Sequence, residues 1–133
     1  MKEEFQIRQY VEALGIRYRI AGLTLDADGG AGLRLGDGSE IHLRFRRATN
    51  RLYIHAVLAP LPARPIPGLA LKLLKMNCLE AGSGGGVLSV SAFQRAFVYH
   101  VSLPAACIDS ERLGREIEAF LSKRARAAQC LDA

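Results

Sequence analysis

The side chains that could do chemistry in this chain are few and scattered. Its three histidines, His42, His55 and His100, lie far apart in sequence, each inside a stretch of alternating hydrophobicity where a strand would hold it. No His-x-x-x-His, Gly-x-Ser-x-Gly or Gly-x-x-x-x-Gly-Lys spacing occurs. The glycine run at 82–86 lacks the Lys-Ser or Lys-Thr that follows a phosphate-cradling loop. The cysteines Cys78, Cys107 and Cys130 form an odd set without Cys-x-x-Cys spacing. That predicts neither a disulfide framework nor a zinc knuckle, and a free thiol packs as a small hydrophobe. A small enzyme using Cys78 or Cys107 is the only catalytic alternative; the pattern otherwise predicts no enzyme, no metal site and no cofactor.

Binding chemistry is better represented. The chain carries 18 Lys and Arg against 13 Asp and Glu, a formal charge of +5. In the stretch 42–55, His42, Arg44, Arg46, Arg47, Arg51, Tyr53 and His55 fall on the side of two predicted strands opposite the apolar one. Such a face is either a solvated strand surface, a site for an acidic partner, or a nucleic-acid footprint. No paired stacking aromatics or helix-turn-helix signature supports the last of these.

The elements that would position these residues read as one α+β domain over residues 1–133. Apolar residues recur at helical spacing over 2–14, and Gly15 stands where a helix C-cap is expected. Leu23 and Leu25, then Leu33 and Leu35, alternate around a turn at 26–30 and read as short strands. Residues 40–46 and 52–58 continue as a meander with one wet face. Pro60, Pro62, Pro65 and Pro67 demand a crossing loop. A helix over 68–80 is apolar on two sides, which predicts two neighbours for it. Strands at 86–91 and 96–103 follow, and Asp109 or Ser110 caps a last helix with Lys123, Arg124 and Arg126 placed towards its C-terminal end. The order is α-β-β-β-α-β-β-α, three helices on a twisted antiparallel sheet. No secretory signal pattern and no apolar run of about 20 residues is present, so a cytoplasmic protein without a membrane partner is expected.

Several local sequences carry a resemblance. Leu73-Leu74-Lys75-Met76-Asn77-Cys78-Leu79-Glu80, the short strand Val87-Leu88-Ser89-Val90, the strand Val98-Tyr99-His100-Val101-Ser102-Leu103-Pro104 and a final helix with Leu113 and Phe120 follow one another in register. Together with the region from Leu23 to Ala56 they resemble the class I type III secretion chaperones, the Tir-chaperone-like family. The departure is charge, because members are typically acidic and this chain is basic.

The resemblance implies a homodimeric, non-enzymatic chaperone. It would bind the N-terminal chaperone-binding segment of a type III secreted effector and keep it soluble and secretion-competent; the secretion apparatus ATPase is a further candidate partner. A small basic α+β nucleic-acid-binding or regulatory module is the alternative. The expected effector groove involves Phe5, Ile7, Tyr10, Val11, Leu14, Leu33, Ile41, Leu43, Phe45 and Ile54, each of them either groove wall or core. The expected dimer interface involves Leu69, Leu73, Met76, Val87, Leu88 and Val90. Leu71, Leu74 and Cys78 would then face the protomer's own sheet, an assignment of helix faces that can also be reversed.

Overall fold

The computed structural model describes residues 2–36, 38–80 and 85–132. Its elements are α1 (Lys2–Arg17), β1 (Gly30–Arg34), β2 (Glu40–Arg46), β3 (Arg51–Pro60), α2 (Leu69–Asn77), β4 (Val87–Ser91), β5 (Ala96–Pro104) and α3 (Ser110–Asp132). One five-stranded sheet has the order β1-β2-β3-β5-β4, with β1 antiparallel to β2 and β4 antiparallel to β5. By packing, the chain divides into two compact units, Met1–Ile54 with Ser102–Ala119, and His55–Val101 with Phe120–Ala133.

In the first unit the apolar stripe of α1, Ile7, Val11 and Leu14, is at most 1% exposed. Gly15 does not end this helix, contrary to expectation. It is buried, and a Cβ there would stand 2.8 Å from Leu23 Cβ, so the glycine serves close packing and the helix runs on to Arg17. The turn closes where the Ile20 N–H donates to Gly15 O at 2.7 Å. Leu23 and Leu25 are buried but form no strand, because alternation records which side is covered and not whether a ladder partner exists. Gly29 has φ 81°, and a Cβ on it would come within 2.6 Å of Phe45 O, which makes the turn into β1 a glycine position on both counts. The β1–β2 register sets Leu33 opposite Ile41 and Ala31 opposite Leu43. Leu33, Ile41, Leu43, Phe45 and Ile54 are all buried, and Leu113 and Ile117 of α3 complete this core. Asp109 caps α3 by accepting the Arg112 N–H at 2.8 Å.

In the second unit Tyr99 and Phe120, both fully buried, stack with ring centroids 5.6 Å apart. A Cβ on Gly86 would collide with the Tyr99 ring and with His100 O, so only glycine lets the chain enter β4 this close to β5. Helix α2 is shorter than the 68–80 expected. Gly68 at φ 76° precedes it, and after Asn77 the chain turns through Cys78–Glu80 with Leu79 in the left-handed region at φ 51° and ψ 24°. Helix α3 runs further than expected, to Asp132, and its last turn carries no basic residue. Lys123, Arg124 and Arg126 are therefore too far from the C-terminus to answer the helix dipole, which acts only within the last turn.

Candidate functional site

Residues expected to line a groove in the first unit are mostly interior. Ile7, Val11, Leu14, Leu33, Ile41, Leu43, Phe45 and Ile54 are at most 5% exposed, because the single apolar face of the meander is spent on the core. Of the two places the sequence leaves open for them, core or groove wall, the single chain puts these eight in the core. Tyr10 is half-buried, and Phe5 alone of the set stands free, 62% exposed. Ile16, 82% exposed, lies three turns along the same side of α1, away from the buried stripe.

The basic strand face is also different from its sequence reading. The fold brings carboxylates to it: Glu40 pairs with Arg34, and Glu4 Oε2 lies 2.6 Å from Arg47 Nη2. Arg44 donates to the Asp28 carbonyl at 3.2 Å. Tyr53, the one aromatic of this face, donates its hydroxyl to Thr49 Oγ1 at 3.2 Å. The hydrogen bond from Arg34 and its charge hold Glu40 below the usual carboxylate range. Backbone N–H groups of Gly30 and Asp28 do the same for Asp26.

An uncovered apolar surface sits instead in the second unit. Between residues 61–66, α2, β4 and Phe97 lies an open groove of about 550 Å³. Leu73, Leu88 and Phe97 lie buried at its base, and Ile66, Leu74 and Val90, each more than half exposed, stand at its margin. The expected interface set maps here in part. Leu69, Leu73, Leu88 and Val90 line the groove; Met76 and Val87, both half-buried, do not. The faces of α2 are reversed from the expectation: Leu73 turns inward, whereas Leu71, Leu74 and Cys78 are exposed, because a nine-residue helix with leucines on every side has no single stripe to read.

Asn77 closes one end of this surface. Its side-chain amide donates to Leu88 O at 2.6 Å and its carbonyl accepts the Leu88 N–H at 2.9 Å, so it pairs with the free side of β4 as a neighbouring strand would. Leu61 and Ile66, Phe97, and the almost fully exposed Leu79 and Phe93 were not anticipated. The apolar residues interleaved with four prolines at 60–67 were the available signal, since a merely connecting loop has no need of them.

Charge is concentrated in the same unit. The first unit holds 11 Lys and Arg against 11 Asp and Glu, and the second holds 7 against 2, so the whole +5 of the chain belongs to the second. Lys72 donates to Cys130 O at 2.7 Å and Arg124 to Val57 O at 3.1 Å. Among the described residues no cluster of His, Cys, Asp or Glu could hold a metal ion, and no helix is long and apolar enough to cross a membrane.

The fold is an α+β arrangement of three helices and a five-stranded sheet, and among the described residues of its second unit an apolar groove lies open. The sequence profile of the Tir chaperone protein (CesT) family matches residues 9–127. The chain belongs to that family. No curated protein matches it in sequence. Among solved structures it is similar to a chain of the HopA1–SchA chaperone–effector complex, with TM-score 0.73 and 17% identity, covering 94% of each chain. It is similar to a chain of the ExsC–ExsE complex, with TM-score 0.73 and 17% identity over 94% of this chain and 90% of that one. It is also similar to a chain of the heterodimeric ExoU–SpcU complex from the type III secretion system of Pseudomonas aeruginosa, with TM-score 0.63 and 17% identity over 93% and 96%. At such identities the likeness is one of fold.

Proposed function

We propose that this chain is a cytoplasmic, non-enzymatic type III secretion chaperone that binds the N-terminal segment of an effector and keeps it ready for export. The observation that carries the reading is the family match across residues 9–127, nearly the whole of the fold. Chaperone–effector complexes among the similar structures support it. Effector side chains dock on the outer side of α1 at Phe5 and Ile16, over a core that Ile7, Val11 and Leu14 hold rigid. A second copy of the chain covers the α2–β4 groove, through its lining residues Leu69, Leu73, Leu88 and Val90, with Met76 and Val87 outside the groove and the exposed Leu71 and Leu74 added.

Magnitudes support pairing at the groove. Covering Ile66, Leu71, Leu74 and Val90 returns at most about 1.5–3 kcal/mol per side chain, less for the part already shielded. Two copies contribute two such sets, roughly 7–14 kcal/mol once the part already shielded is discounted, which is comparable to an association cost of about 4–15 kcal/mol. A reversible dimer follows.

The test is isolation of the chain with its bound effector, followed by hydrogen exchange on the complex. Protection confined to the effector's N-terminal portion and, on the chaperone, to α1 and the strand edges is expected. Protection centred on a folded C-terminal domain of the effector refutes the reading.

A further inference from the structure

In the first unit, an open cavity of about 480 Å³ lies between residues 27–28, the end of β2 and the start of α1, a volume typical of ligand clefts. Its charged lining is Arg44, Arg46, Arg47, Glu4 and Asp28. Arg44 is held at the Asp28 carbonyl, and Arg46 is exposed with no bonding partner among the described residues. Arg47 reaches Glu4 with two nitrogens, Nε at 2.7 Å and Nη2 at 2.6 Å, but both contacts fall on the single oxygen Oε2. A guanidinium seats a carboxylate best as a fork on both oxygens, so Glu4 occupies this place without making full use of it. Its side chain is nevertheless only 13% exposed, withdrawn from water to sit there.

Arg8 adds an independent observation. Its Nε is buried without a hydrogen-bond partner among the described residues, where such atoms are nearly always satisfied. The carboxylates one turn away on either side are both engaged, Glu4 with Arg47 and Glu12 as acceptor of the Thr24 hydroxyl at 2.7 Å. A Glu four positions before an Arg is the favoured order for a helical ion pair, so Arg8 is a second partner for Glu4 within its own helix. We propose that this cavity is a carboxylate site, closed in the free chain by Glu4 and opened to an Asp or Glu side chain of a bound polypeptide when Glu4 moves to Arg8. The move involves only the first turn of α1, and helix ends open at little cost in free energy. Three guanidiniums then line the place of the incoming carboxylate, and Asp28 is the one acidic residue left beside them. The inference rests on the chaperone reading only in taking polypeptide as the ligand.

Titration calorimetry of the full chain with hexa-L-glutamate at low salt tests this, with the fold of each variant checked by its unfolding temperature. Glu4→Gln removes the resident competitor and should tighten binding about tenfold; Arg46→Gln, which breaks no bond of the free chain, should weaken it about tenfold. Arg8→Gln should weaken binding in the wild type and have no effect in Glu4→Gln, a dependence that a general loss of positive charge does not produce. Glu111→Gln and Arg115→Gln, exposed and outside the cavity, are charge-matched controls and should leave the affinity unchanged. Equal affinity of wild type and Glu4→Gln overturns the proposal, as does a change in the controls as large as that in Arg46→Gln. Tighter binding of a DNA oligonucleotide of equal charge overturns the assignment to carboxylate. An effector that binds wild type and Arg46→Gln alike overturns this site and leaves the chaperone reading intact. The expected pattern with hexa-L-glutamate in a chain that captures no effector overturns that reading and leaves the site standing.

Discussion

The two units of this molecule manage their surfaces in opposite ways. The first leaves only Phe5, Ile16 and Tyr18 exposed among its described large apolar side chains and balances its charges, with Arg34–Glu40, Arg47–Glu4 and Arg112–Glu116 as ion pairs. The second leaves Ile66, Leu71, Leu74, Leu79, Val90 and Phe93 exposed and carries the entire net charge. A surface that is both apolar and unbalanced is unfinished on its own, and this contrast is what the proposed pairing through the second unit draws on.

The strongest way to break the comparison is to remove a core ring. Phe120→Ala deletes the partner of Tyr99 and should cost about 3–5 kcal/mol in denaturant unfolding, with protection lost first at β4 and β5. Uniform loss of protection across both units would show that they are one cooperative body. Asn77→Ala leaves the N–H and C=O of Leu88 without their partner and should cost about 1–3 kcal/mol, with faster hydrogen exchange at Leu88 as the local signature.

Acid should also separate the units. Burial holds the imidazole of His100 below its ordinary value of 6.5, so the unfolded chain takes up a proton before the folded one does. Stability contributed through the second unit is therefore complete above 6.5 and declines as pH falls below it. Asp26 and Glu40 in the first unit are depressed from 3.8 and 4.5, so their contribution is present above those values and is lost only as pH falls through their lower folded ones. His100→Gln should flatten the near-neutral part of the stability curve and leave the acid limb unchanged. Identical curves for wild type and variant would remove His100 from the account.

Smaller effects sharpen the same contrast. Leu74→Asp, at an exposed position, should change monomer stability by no more than about 0.5 kcal/mol while abolishing self-association in light scattering. Leu73→Asp, by contrast, buries a charge and unfolds the unit, so it cannot report on pairing. Leu79→Gly should raise stability by about 1 kcal/mol in thermal unfolding, since it relieves a left-handed leucine that is 95% exposed.

Much of this architecture is legible in the linear pattern. The alternation at Ile41, Leu43 and Phe45 and the spacing of Ile7, Val11 and Leu14 each point to one buried face, and each is buried. What could not be read are facts that need a neighbour from far along the chain. Gly15 looks like a helix end until Leu23 is seen against it. The arginines of β2 and its turn look like the basic surface until Glu4 is brought 43 positions back to Arg47. The true charge imbalance is spread over 64–126, where the one local cluster, Lys123, Arg124 and Arg126, reads as an answer to a helix dipole.

The pairing of Asn77 with Leu88 bears on how such a protein stays safe in a crowded cell. A bare outer strand beside sticky side chains is a template on which other chains can lengthen a sheet without limit. By occupying the backbone of β4 at Leu88 with a side-chain amide, the molecule insulates that template while leaving the apolar groove open. Partners are then selected by the shape and charge of their side chains, and strand addition along this border is interrupted at Leu88.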